Sequence, residues 1–232
     1  MNRLLRAASE PRSVAATTIP DGSMGTRALA PYLLAGGVCL LLQVPVAHAD
    51  ATSAETFVQQ SVDKEFAILK DASLAQEERE IRSRTLLRSI IDINRVAMFA
   101  LGPYARTASN KQINDFKIAF SDYFLNMFHS DLNQSSGGGT IAITGATARS
   151  ADDVIVTANV AGADMRSPTA ASTNLAFRVR KNDAGNDMIV DVLIGAISLA
   201  ATQRDEFSSY LRQHGGNIDQ LSAELEKRAA VK

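Results

Sequence analysis

Along residues 52–70, TSAETFVQQSVDKEFAILK, the apolar positions Phe57, Val58, Val62, Phe66 and Leu69 recur at helical spacing. They predict a helix with one buried stripe. The next stretch, LAQEEREIRSRTLLRSIIDINRV, keeps a helical period. Its Glu80, Arg84 and Arg88, each four apart, read as a basic docking face or as a solvated face of local ion pairs. Gly102-Pro103 stops that helical run, because proline disfavours helical geometry in the residue before it. Ser109 with Gln112 is a capping box that opens another helix. This one carries Phe116, Phe120, Tyr123, Phe124, Met127 and Phe128 on a broad aromatic face.

After the glycine-rich turn SSGGG at 135–139 the period changes to two. GTIAITGATA, DDVIVTANVA, STNLAFRVRK and DMIVDVLIGA predict four strands, and the short turns between them imply antiparallel neighbours. Leu175, Phe177 and Val179 share one face and Arg178 and Arg180 the other. Met188, Val190, Val192 and Ile194 are assigned to one apolar face of the last strand. Two helices close the chain, at 201–213 and after the capping box of Asn217 with Gln220; Gly215-Gly216 ends the first of them. The order of elements indicates an α+β fold: N-terminal helices, a four-stranded curved antiparallel sheet and C-terminal helices.

The front of the chain differs from the rest. Residues 28–44, ALAPYLLAGGVCLLLQV, are almost wholly apolar and follow Arg27; Ala47 and Ala49 stand in an A-x-A arrangement before Asp50. This is the pattern of a signal peptide cleaved after Ala49, with Met24 as a possible true start. The only cysteine, Cys39, lies in that apolar core behind Val38 and Gly36, which does not suit lipidation. Residues 50–232 then form a single cysteine-free domain exported to the periplasm. The net charge of −1 for the whole chain gives no reason to expect nucleic acid as a partner.

Candidate chemistry is sparse. There is no G-x-S-x-G elbow, and no phosphate loop follows the glycines. His214 fits a helix C-terminus, where the helix dipole favours it. His129 with Asp131 supplies two ligands with no third nearby, fewer than the three or four a zinc site needs, so no metal and no cofactor is expected. Asp191 sits mid-strand in an apolar run with Asp187 assigned to the same face. It could serve with a tyrosine as the base of a small isomerase or hydrolase. It could equally face the polar side of the sheet and pair with Arg178 or Arg180. The aromatic helix face set against a half-apolar sheet either fills a core or lines a cavity for an apolar ligand.

Two blocks carry a resemblance. One is Leu101-Gly102-Pro103-Tyr104 with Ala108-Ser109, Gln112, Phe116, Phe120, Tyr123 and Phe124. The other is Gly195-Ala196-Ile197-Ser198-Leu199, then Gln203-Arg204-Asp205-Glu206-Phe207, then Gly215-Gly216-Asn217-Ile218-Asp219-Gln220-Leu221. Together they resemble the MlaC family, also called the toluene-tolerance family. The resemblance implies an NTF2-like cone around an apolar pocket and a non-enzymatic, monomeric periplasmic carrier of phospholipid. It implies exchange with an outer-membrane lipoprotein complex and an inner-membrane MCE-type ABC transporter, or, for one branch, carriage of hopanoid or other terpenoid lipids. With such a carrier in view, the face assignments put Phe99, Tyr104, Phe120, Phe124, Val156, Phe177, Val190, Val192 and Ile197 on the pocket wall. Gly102, Gln203, Arg204, Phe207, Gly215 and Gly216 become a structural signature, with Arg204 expected to make a structural hydrogen bond or dock a partner. Met188 in place of a family aromatic and the stretch 162–168 depart from the family pattern.

Overall fold

In the computed structural model, residues 48–135, 140–161 and 173–230 are described. All of them fall within one unit, Val44–Lys232. The apolar segment 28–44, the glycines of the 135–139 turn, the stretch 162–168 and the side chains of His129 and Asp131 lie outside the described residues.

The helical half begins with α1 (His48–Lys70), α2 (Gln76–Ile90) and α3 (Ile93–Leu101). The expected single helix across α2 and α3 is broken at Ile91. That residue bridges to Ile189, and the Asp92 N–H donates to the Ile189 carbonyl at 3.0 Å. Asp92 then caps α3, its carboxylate accepting the Arg95 N–H. A helical period can continue through such a break, which is why periodicity alone does not show it. α3 ends at Leu101, where the expected Gly102-Pro103 stop leads into a 3-10 turn, Gly102–Arg106. The Ser109–Gln112 capping box forms, the Ser109 N–H donating to Gln112 Oε1 and the Gln112 N–H to Ser109 Oγ. It opens α4 (Asn110–Ser135).

The sheet has β1 (Thr140–Ser150), β2 (Asp153–Ala161), β3 (Thr173–Lys181), β4 (Asp187–Ile194) and β5 (Ile197–Ser198), ordered as they occur and all antiparallel. The expectation of four strands is therefore corrected to five. β5 is only two residues long, too short for any alternation to announce it. It folds back over Gly195, whose φ of +62° suits glycine.

A bulge between Arg178 and Val179 changes the faces of β4. Val179 pairs with Ile189 and Arg178 with Asp191, so Val190 is the extra residue. Ile189, Val192 and Ile194 face the core row, while Met188 and Val190 leave the face assigned to them. The same bulge puts Asp187 and Asp191 on opposite sides of the sheet. α1 lies against β1, β2 and β4.

The stripe of α1 is shifted from expectation as well. Ala54, Val58, Ser61 and Glu65 are buried, whereas Phe66 is half-buried and takes Lys70 over its ring at 5.0 Å. The second half of α1 meets α2 through the wholly buried Ser83, a contact that the apolar pattern cannot signal.

The chain closes with α5 (Leu199–Gln213) and α6 (Ile218–Ala230). Gly215 and Gly216, with φ of +63° and +78°, turn one into the other. The Gln220 N–H donates to Asn217 Oδ1 as the second capping box requires.

Candidate functional site

The apolar interior is built from two surfaces. On the sheet, Ala146, Val156, Phe177 and Val192 stand opposite one another in register across β1 to β4. On the helices, Phe116, Phe120 and Phe124 project from one side of α4, and Phe116 and Phe120 meet Phe207 of α5. Phe120 and Phe124 stack with centroids 5.5 Å apart, and Phe207 stands edge-on to Phe116 and Phe120 at 6.0 and 6.1 Å. These are ordinary favourable ring geometries.

Of the nine residues expected on a pocket wall, Phe120, Phe124, Val156, Phe177 and Val192 belong to this single buried cluster. Tyr104 packs at its margin. Three lie elsewhere. Val190 is buried at the bulge but outside the cluster, Phe99 is 43% exposed, and Ile197, on the edge strand, is 66% exposed. A cleft of about 640 Å³ opens on another part of the surface. Ile91, Ile93 and Met188 give it apolar walls; Arg88, Asn94 and Asn182 are among its polar ones. None of the nine lines it.

The two sequence blocks meet in space. Arg204 of α5 lies over the Phe99 ring, 5.1 Å from its centroid, and fills the place where Gly102 would carry a Cβ, 3.2 Å from Nε. A Cβ on Gly216 would meet the Tyr104 ring in ordinary contact at 3.5 Å, so there it is the φ of +78° that favours glycine. The glycines of the signature are thus the points where the α5–α6 turn and α5 itself close on the turn after α3. Gln203 is buried beside Tyr123, whose hydroxyl is pushed up by burial and by Glu206. Arg228 of α6 ties this corner together through Glu206 and Glu224, at 2.5 and 3.0 Å.

Asp191 is a capping group. The Ser198 hydroxyl donates to its Oδ2 at 2.5 Å and the Ala200 N–H to its Oδ1 at 3.0 Å, which fixes the first turn of α5. Both carboxylate oxygens are engaged, and no tyrosine is among their partners. The expected pairing with Arg178 is also corrected. Arg178 faces Asp191 across the strands but gives its fork to Asp153, at 2.9 and 2.6 Å, and Arg180 goes to Asp152. The Arg178 guanidinium holds the Asp153 carboxyl below the usual carboxylate range. His214 caps α5, its Nδ1 2.8 Å from the Tyr210 carbonyl and its ring stacked on Tyr210. Among the described residues no group of histidines and carboxylates could hold a metal, and no helix is long and apolar enough to cross a membrane.

Sequence reasoning missed the buried carboxyl of Glu65 and the caps made by Asp92 and Asp191. The Asp92 cap had a readable signal, an Asp before the apolar run Ile93–Leu101.

Comparison with known proteins gives three findings. The sequence profile of the family described as MlaC protein matches residues 59–227. No curated protein matches the sequence. Among solved structures, a phospholipid-binding protein from Ralstonia solanacearum, in complex with a phospholipid, is similar in fold. Its TM-score is 0.64 and its identity 22%, over 77% of this chain and 97% of that one.

Proposed function

The chain belongs to the MlaC family, and from that premise we propose that it is a periplasmic lipid carrier. It holds the acyl chains of a phospholipid in an apolar cavity between the α4 face and the sheet and leaves the headgroup in water. The observation that carries this reading is the row Val156–Phe177–Val192 facing the interior, in a fold similar to that of a protein solved with a phospholipid bound. Phe120 and Phe124 form the opposite wall. The cone-like enclosure arises when these two surfaces part to admit the chains.

The physical need is large. Two acyl chains carry about 30 methylenes, and at about 0.8 kcal/mol each their exposure to water costs on the order of 25 kcal/mol. A carrier must hide most of that area and still release it, so its grip rests on packing that can loosen. A family of this kind exchanges its cargo between an outer-membrane lipoprotein complex and an inner-membrane MCE-type ABC transporter. The signal peptide directs export and is removed by cleavage after Ala49, which lies in the first turn of α1.

Native mass spectrometry of protein expressed in the periplasm, followed by extraction of bound lipid, tests this. The expected result is a one-to-one phospholipid adduct on a chain beginning at Asp50. A terpenoid adduct would keep the carrier and change its cargo. A mass without lipid, and no uptake from phospholipid vesicles, would overturn the reading.

A further inference from the structure

The buried seam between α1 and α2 contains an acid with half its carboxyl unpartnered. Glu65 is 5% exposed and lies on the stripe that Ala54 and Val58 begin. The hydroxyl of Ser83, wholly buried on α2, donates to Glu65 Oε1. Glu65 Oε2 is buried and accepts no hydrogen bond. An ionised carboxylate needs donors at both oxygens, whereas a neutral carboxyl leaves far less charge uncompensated in a dry interior.

The charged groups on the surrounding elements do not supply that compensation. On α1, Asp63 and Lys64 are exposed, and Lys70 sits over Phe66. On α2, Arg79 donates to the carbonyls of Asp71 and Leu74, Glu80 pairs with Arg84, Glu78 with Arg82, and Arg88 reaches Asp122 of α4. On the strands packed against α1, Asp152 and Asp153 are held by Arg180 and Arg178, Asp187 by Lys181 and Ser53, and Asp191 by Ser198; Arg149 stands near Asp153. Burial pushes the Glu65 carboxyl above its ordinary value, and the Ser83 hydrogen bond draws it back only in part.

We propose that the Glu65–Ser83 contact is a protonation-sensitive latch that closes the α1–α2 hairpin when the carboxyl is neutral and loosens it when the carboxyl ionises. The direction follows from linkage. An acid whose folded value is raised stabilises the closed form below its ordinary value of 4.5, and that contribution is lost as pH rises through the folded value. Ionisation favours any state in which water reaches Oε2, and parting of the two helices is the nearest such state. The latch does not depend on what the interior carries.

Hydrogen exchange of the full chain, corrected for intrinsic rates, tests it between about pH 4.5 and about pH 7.5. In the wild type, protection of the amides around Glu65 and Ser83 should fall by up to about tenfold per pH unit between the ordinary value of 4.5 and the raised folded value, and level off above it. In Glu65→Gln the same amides should change less than about twofold over that range, because the amide cannot ionise. Ser83→Ala removes a donor to the ionised form, so its transition should move to higher pH, and it carries the test alone if Glu65→Gln does not fold. A flat profile in the wild type, an unchanged slope in Glu65→Gln, or an unmoved midpoint in Ser83→Ala would each overturn the latch.

Discussion

At Gly102 the backbone has a φ of +61° and the space for a Cβ is held by Arg204. Both costs fall on any substitution there. Gly102→Ala should lose about 1–3 kcal/mol, read from the urea midpoint at unchanged slope. Arg204 contributes stacking on Phe99, a contact different in kind from the structural hydrogen bond or partner docking expected for it. Asp191→Asn keeps the shape of the cap but weakens its charge-assisted bonds to Ser198 and Ala200. About 1 kcal/mol of stability should go, with bound lipid per protein unchanged; loss of lipid at full stability would contradict the capping role. Acid acts at a different residue. Asp153 is depressed by Arg178, so its contribution is present above the ordinary value of 3.8 and is lost as pH falls through the lower folded value. Thermal melts should therefore show an acid limb that Asp153→Asn removes, opposite in sign to the effect of Glu65. The capping boxes of Ser109 with Gln112 and Asn217 with Gln220 were legible in the sequence because their chemistry is local. Asp191 and Glu65 were not, since their partners come from other elements.

Elements were legible where one period ran unbroken. α4, its capping box and the C-terminal pair were readable from side-chain spacing, and so were the four long strands. The departures share a cause, which is that a tertiary contact overrode a local pattern. The bridge at Ile91 splits α2 from α3, and the bulge beside Arg178 moves Val190 and Met188 off the core face. β5 exists only as a pairing with Leu193 and Ile194. The same logic ranks the proposed wall residues. Phe120, enclosed by Phe116, Phe124 and Phe207, should lose about 3–5 kcal/mol as Phe120→Ala. Ile197→Ala, on the exposed edge strand, should stay within about 0.5 kcal/mol. Equal losses by urea unfolding would mean that the rings of α4 pack too loosely to act as a core.

For the whole molecule, the family resemblance was visible because its two blocks are one contact in space. Gly102 meets Arg204 and Tyr104 meets Gly216, so the motifs are the two sides of the joint that closes the C-terminal helices onto α3. The extent of the interior was less visible, because alternation does not distinguish a wall that opens from one that stays shut. The latch proposed at Glu65 and the carrier proposed for the α4–sheet interior call on different parts of the chain, so each can fail without the other.

The bridge at Ile91 also bears on the order of assembly. α3 is nine residues long, too short to persist alone in water. The residue at its entry binds Ile189, far along the chain, and its apolar side packs on α5, farther still. Bringing those segments together costs loop-closure entropy before any contact rewards it. α3 is therefore completed late in folding: a nascent chain still lacking β4 can lay it against α4, but its entry at Ile91 and its face on α5 are closed only when the last strand and helices arrive.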